Sequence, residues 1–339
     1  MKNIIKSALG LLVMGSLSMA SCTDVESLDI NRPTAQEQNP EAYANYLQSL
    51  RDYKNAEHKI VYAWFDNSTK VPASPAQHMT NIPDSVDIVA LMYPEALADF
   101  EKSDIETMHS KGSKVVYTIS YDDIKTTWED QQAVAGTEGS AADFNAYLQS
   151  ELDKQLAYSS SFDGVIVKFV GQDPTFMNTA EKEAYTTTQN IVLTAVKNWK
   201  TENQDKLLTW QGKPQNLTDK TILNDCEHII LDIDKVTDTN QLLLIVKSAL
   251  TEGVPTDNIV IAVSTTGADT SDKKTGYWDT DVRALSEVAY WVAAGYPETD
   301  GFTRAGIAIY NVQNDYYATG GTYTYVKEAI NILNPAPTK

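Results

Sequence analysis

The chain is poor in the residues that build metal, disulfide and nucleic-acid sites. It has two cysteines and four histidines among 339 residues. The histidines stand at 58, 78, 109 and 228, without the spacing that gathers zinc ligands, and two cysteines cannot make a cysteine-rich metal site. Basic residues are scarce, 27 against 46 acids for a net charge of −19. That surface repels phosphate backbones, which excludes nucleic acid as a partner and disfavours polyanionic glycans. No strand is followed by a dinucleotide-binding glycine fingerprint or a phosphate loop, so no nucleotide cofactor is implied. No apolar run is long enough to span a membrane: the longest, Ile4 to Met19, is interrupted by glycine and serine. What remains is ample for folding, since 42% of residues are apolar.

The N-terminus reads as a targeting segment. Lys2 and Lys6 precede the apolar stretch, and Met19-Ala20-Ser21 leads into Cys22. Small residues before a cysteine resemble a bacterial lipobox, which implies a signal peptide over 1–21 and an acylated Cys22 that anchors the chain without spanning the bilayer. The ordinary alternative is a secretory peptide cut near Ala20. With Cys22 acylated, Cys226 has no partner for an intrachain disulfide. The acidic "TDVESLD" after Cys22 resembles the export signal of surface lipoproteins in glycan-degrading Gram-negative bacteria, so the expected location is the outer membrane, facing outward. Residues 22–40 read as a tether.

From residue 41 to 339 the pattern alternates. "KIVYAWF", "VDIVALM", "KVVYTIS", "GVIVKFV", "KLLTWQ", "HIILDI", "NIVIAVS" and "AGIAIYNV" are short apolar, β-branched runs, mostly followed by amphipathic helical segments. The segment after "KVVYTIS" reads as a polar loop. Strand–helix alternation implies parallel pairing with right-handed crossovers, and eight such units predict a single-domain α/β fold, a (β/α)8 TIM barrel, with an open doubly wound sheet as the alternative.

Ligands of such barrels sit at the C-terminal strand ends. Those ends carry Trp64 and Asp66, Tyr93, Tyr121 and Asp122, Gln172, Trp210 and Gln211, Asp232, and Tyr310 and Asn311. Aromatic faces can stack on sugar rings, and the amides and carboxylates can bond hydroxyls. The alternative for each aromatic is that it caps the barrel core.

The strand order and the stretch "FDGVIVKFV" (162–170) resemble glycoside hydrolase family 18, the chitinase and endo-β-N-acetylglucosaminidase family. The family's fourth strand carries Asp-Gly-x-Asp-x-Asp-x-Glu. Phe162, Asp163 and Gly164 match; Ile166 and Lys168 stand where two aspartates belong, and Val170 where the glutamate belongs. In the family that glutamate protonates the glycosidic oxygen, and the preceding aspartate steadies the substrate's acetamido group as it attacks. Loss of a general acid alone typically forfeits about 10²–10⁴ in rate. The third strand lacks the family's two glycines, the sixth has Leu231, Ile233 and Asp234 for Met-x-Tyr-Asp, and Tyr310 stands for the terminal tryptophan. The resemblance therefore implies a degenerate catalytic motif and a non-catalytic, surface glycan-binding lipoprotein of a glycan-utilisation system. It would hold N-acetylglucosamine-containing oligosaccharides near a transporter and active glycosidases.

Alternation turns Ile166, Lys168 and Val170 toward the barrel interior, where Lys168 is expected either to pair with an acid such as Asp232 or to meet a ligand. Two other readings are open. A diverged glycosidase could use relocated acids, Asp122 with Asp173 or Asp232 with Asp234. A docking lipoprotein without a sugar site would bury Trp64, Trp210 and Tyr310 and have no cleft at the strand ends.

Overall fold

The computed structural model describes residues 33–336 apart from Asp234, Thr270, Thr280 and Thr319. The segment 1–21, Cys22 and most of the tether lie outside the described residues. The chain divides into two compact units, Met1–Ala44 and Asn45–Lys339. In the first, a short helix Ala35–Gln38 starts on a capping box in which Thr34 and Glu37 satisfy each other's backbone amides.

The second unit holds the barrel. Its strands are β1 (Ile60–Phe65), β2 (Ile88–Leu91), β3 (Lys114–Ser120), β4 (Gly164–Phe169), β5 (Leu207–Gly212), β6 (His228–Asp232), β7 (Ile259–Ser264) and, after a small hairpin of β8 (Tyr277–Asp279) and β9 (Val282–Arg283), β10 (Arg304–Tyr310). Strands β1-β10-β7-β6-β5-β4-β3-β2 close into a ring with every neighbour parallel, so the barrel alternative is the one realised. The β8–β9 hairpin is an insertion that the strand pattern did not announce.

Alternation along each strand sorts the side chains into two layers. Tyr62, Trp64, Ile88, Ala90, Val116, Ile166, Ile230, Val260, Ala262 and Ala308 pack inside the ring. The intervening residues, among them Val61, Val165, Val167, Leu208 and Trp210, face outward onto helix residues such as Val192, Val196, Leu242 and Val326. Each fully buried aliphatic side chain contributes about 1.5–3 kcal/mol. At the foot of β4 the backbone passes so close to β5 that a Cβ on Gly164 would lie 2.2 Å from the Leu207 carbonyl oxygen. Asp163, just before it, accepts hydrogen bonds from the Val115 amide (2.7 Å) and His109 Nε2 (2.8 Å) and so fixes the entry of the strand.

The expected polar loop after β3 is a helix, Tyr121–Ala135. Its polarity reflects its exposure. Ser120 caps it by accepting from the Asp123 amide, Asp122 and Asp123 suit the positive end of the helix dipole, and Gly136 ends it in the left-handed conformation.

Candidate functional site

The inward positions at the top of the ring are polar. Lys168 on β4 lies level with Gln211 on β5 in the sheet register, and Asp232 ends β6. Lys168 Nζ is 3.6 Å from Asp232 Oδ2, the pairing expected from the sequence. The other carboxylate oxygen, Oδ1, accepts from Gln211 Nε2 at 2.9 Å and from the Tyr310 hydroxyl at 3.1 Å. Gln211 is fully buried, also bonds the Tyr310 hydroxyl, and its own Oε1 has no hydrogen-bond partner among the described residues. The Tyr310 ring stacks on Trp64, centroids 4.1 Å apart and planes 18° from parallel. Trp64 in turn donates its indole N–H to Thr118 Oγ1 at 3.1 Å. The result is a charged and aromatic floor across the barrel axis. Lys168 keeps 30% of its side chain open to solvent, against 16% for Asp232.

Below this floor a second polar group is sealed in. The Tyr62 hydroxyl lies 3.0 Å from Thr209 Oγ1 and 2.9 Å from His228 Nδ1. Burial pushes the His228 pKa from 6.5 down to about 4, so the imidazole is neutral at neutral pH.

Beside the floor, over the contiguous arc of β1, β10 and β7, the loops enclose a cleft of about 570 Å³. Asp66, Ser74 and Gln77 line it from the β1 side, Asp272, Lys273, Tyr277 and Arg283 from the long β7 loop and hairpin, and Gln313, Asn314, Tyr317 and Tyr325 from the segment after β10. Lys168 and Val170 do not line this cleft, so the opening is displaced from the end of β4.

Of the residues singled out in the sequence, Trp64, Gln211, Asp232 and Tyr310 meet in the floor with Lys168, and Asp66 lines the cleft. Trp210 is corrected: it is fully buried on the outward face of β5, among barrel–helix contacts, because alternation places it opposite Gln211. Tyr121 is also corrected. It is buried, 4.6 Å from the Phe169 ring in the same outer layer, and burial raises its hydroxyl pKa to about 12. Asp122 spends both oxygens on backbone amides, Oδ2 on Val170 (2.7 Å) and Oδ1 on Gly171 (3.2 Å), so it tethers the end of β4.

Tyr93 is 40% exposed, on the β2 side, with its amide held by Asn67 Oδ1 at 2.8 Å. Gln172 is exposed in the loop after β4, where its backbone amide donates to the Tyr185 hydroxyl at 3.2 Å. Asn311 takes a left-handed conformation and its carbonyl accepts from Thr265 Oγ1 at 2.7 Å. In the β4 motif, Asp163 and Gly164 serve the foot of the strand and Ile166 packs in the interior. Val170 is half-buried past the strand end, its carbonyl held by Asn216 Nδ2 at 2.7 Å.

The acid pairs fare differently. Asp122 is tied to the chain, while Asp173 is exposed and caps Thr175, whose side-chain and backbone hydrogen bonds hold its pKa below the usual carboxylate value. Asp232 is in the floor, and Asp234 lies outside the described residues. The packing-only reading holds for Trp64 and Trp210 but not for Tyr310, which is partly exposed, nor for the strand ends, where the cleft opens. Among the described residues no group of histidine, cysteine and carboxylate side chains could hold a metal, and no helix is long and apolar enough to cross a membrane.

Sequence reasoning missed the cleft's β7 wall. Lys273 sits in the loop after β7, Tyr277 and Arg283 on the short β8–β9 hairpin that no strand pattern announced, and only folding brings Tyr325 from a distant helix against Arg283.

A family model described as glycoside hydrolase family 18, BT1044-like, matches residues 23–332. Among solved structures, a selenomethionine Glu-to-Gln variant of BT1044 superposes with a TM-score of 0.60 at 16% identity, covering 90% of this chain and 96% of that one. An apo endo-β-N-acetylglucosaminidase from Cordyceps militaris gives 0.55 at 19% identity, with 85% and 95% covered. A family 18 chitinase from Pseudoalteromonas aurantia gives 0.53 at 11% identity, with 81% and 100% covered. At these identities the structures establish likeness of fold. The search of curated proteins found no match.

Proposed function

The chain belongs to glycoside hydrolase family 18, in its BT1044-like group, and from that premise we propose that it is a surface lipoprotein that binds oligosaccharides containing N-acetylglucosamine without hydrolysing them. The observation that carries this reading is the Lys168–Asp232 pair. Where the family pattern on β4 calls for carboxylates ending in a proton donor, this chain has Ile166, a lysine whose ammonium is paired to a carboxylate on β6, and Val170. A valine has no proton to give, and at the neighbouring inward position the chain has an ammonium where the pattern has a carboxylate.

Binding is supported by what remains at the mouth of the barrel. The cleft combines the aromatic rings of Tyr277 and Tyr317 with amide, hydroxyl and carboxylate groups, the mixture that sugar sites use, and lies at the strand ends where ligands of this architecture bind. A variant of the Cordyceps militaris endoglycosidase, structurally similar to this chain (TM-score 0.55), was solved with fucosyl-N-acetylglucosamine-asparagine, which favours glycans of that chemistry as ligands. Acylation at Cys22 would hold the barrel at the outer membrane, beside a glycan transporter or active glycosidases. The relocated-acid alternative is weakened because Asp122 is committed to two backbone amides.

The test is calorimetric titration of the purified mature barrel with chitin oligomers and released N-glycans, together with a product time course. Binding without product is expected. Turnover that disappears in Asp232→Asn would contradict the reading, and so would absence of binding to every glycan tried.

A further inference from the structure

Resting on the reading of this barrel as a sugar receptor, we propose that the cleft over β1, β10 and β7 takes a sugar that bears a carboxylate, and that Arg283 binds that carboxylate.

Arg283 is clamped. Its guanidinium carbon lies 4.2 Å from the centroid of Tyr277 and 4.0 Å from that of Tyr325, within cation–π range of both rings. Nη2 donates to the Tyr325 hydroxyl at 2.9 Å. Nη1 is buried and, among the described residues, has no hydrogen-bond partner. The guanidinium lines the cleft, its planar fork matches a carboxylate, and a buried charged donor left unpaired is costly.

The same cleft holds a complementary gap, because Gln313 Oε1 is likewise buried and has no partner among the described residues. A sugar hydroxyl can donate to Gln313 Oε1, and a carboxylate on the same sugar answers the charged donor of Arg283 more strongly than a neutral acceptor does. Lys273, with Nζ 5.3 Å from the Tyr277 centroid, adds a second cation at the rim.

The nearby acids set the limits of this site. Asp315, the buried carboxylate next to Arg283 in charge, is occupied by the amides of Val326 (2.8 Å) and Tyr325 (3.3 Å) at the start of the last helix. Asp66, Asp269 and Asp272 also line the cleft, each with an oxygen bound in its own turn, by the amides of Ser68 (2.9 Å), Ser271 (2.8 Å) and Lys274 (2.7 Å). Their remaining oxygens can accept sugar hydroxyls, and together with the −19 net charge they oppose polyanions. The ligand class that fits is a sugar with a single carboxylate, as in sialic or uronic acids.

The experiment titrates the purified mature barrel with three probes at fixed salt: N-acetyllactosamine, its sialylated form, and a glucuronic-acid-terminated oligosaccharide of similar length. At least one acidic probe is expected to bind about ten-fold tighter than the neutral one, the range of a charge-assisted hydrogen bond. Arg283→Gln is expected to bring that ratio to about one. Lys273→Gln, at an exposed position, is expected to reduce it two- to three-fold and keeps the test open if the arginine variant does not fold. Binding of neutral and acidic probes with equal affinity would overturn the carboxylate site and leave the receptor reading standing. Binding of none of them, or of other glycans, would overturn both.

Discussion

Lys168 Nζ and Asp232 Oδ2 stand 3.6 Å apart across the top of the barrel, joining β4 to β6 over the buried amide of Gln211. The pair is partly solvated, so its attraction is screened, while the carboxylate also satisfies Gln211 and Tyr310. Asp232 therefore matters more to the floor than Lys168 does. Asp232→Ala is expected to cost about 1–3 kcal/mol, because it removes the acceptor that Gln211 and Tyr310 share, and Lys168→Met about 1 kcal/mol or less. A double-mutant cycle in urea should return a coupling below about 1 kcal/mol. A larger coupling would mean that the pair is tighter and drier than its geometry indicates.

Trp210 separates stability from binding. It fills the outer layer and does not reach the mouth of the barrel. Trp210→Ala is expected to lose about 3–5 kcal/mol of unfolding free energy. Its folded fraction should bind glycan as the wild type does, within two-fold. A many-fold weaker Kd for folded Trp210→Ala protein would return this residue to the site.

Gly164 is expected to be intolerant of any side chain. A Cβ there meets the Leu207 carbonyl at 2.2 Å, a backbone atom that cannot move without opening the β4–β5 ladder. Gly164→Ala should lower stability by more than about 3 kcal/mol or abolish soluble expression. Chemical denaturation of whatever folds would measure it.

Two buried groups give the stability curve opposite slopes in acid. For His228 the folded pKa is lowered from 6.5 to about 4, so the unfolded chain takes up the proton first as pH falls. Its contribution is complete above about pH 6.5 and is lost on the way down to 4, by about 2–3 kcal/mol. For Asp315 burial raises the folded pKa from 3.8 to about 6, so the folded chain takes up the proton first, and its contribution is lost as pH rises from about 4 to 6. Unfolding curves at pH 4.5 and 7 should show His228→Gln less acid-sensitive than wild type and Asp315→Asn more so.

The barrel was legible because strand–helix alternation and eight apolar runs leave few topologies open. The Lys168–Asp232 contact was legible for the same reason: alternation fixes which face Lys168 takes, and a half-buried ammonium seeks an acid. Alternation also argued against Trp210, since Gln211 and Trp210 cannot both point inward, and only the register decides between them. The helix Tyr121–Ala135 was hidden by its polarity, although Ser120 and Gly136 mark its ends. The cleft's far wall was not legible at all. Arg283 and Tyr325 are brought together by the packing of a hairpin loop on a distant helix, and no local pattern records that.

The most direct test of the account is a paired measurement on one preparation of the mature barrel: calorimetric titration with an N-acetylglucosamine-containing N-glycan, and mass-spectrometric analysis of the same mixture after prolonged incubation. The account predicts saturable one-site binding with the glycan recovered intact. Release of a cleaved glycan at a rate that falls with Asp232→Asn would contradict it.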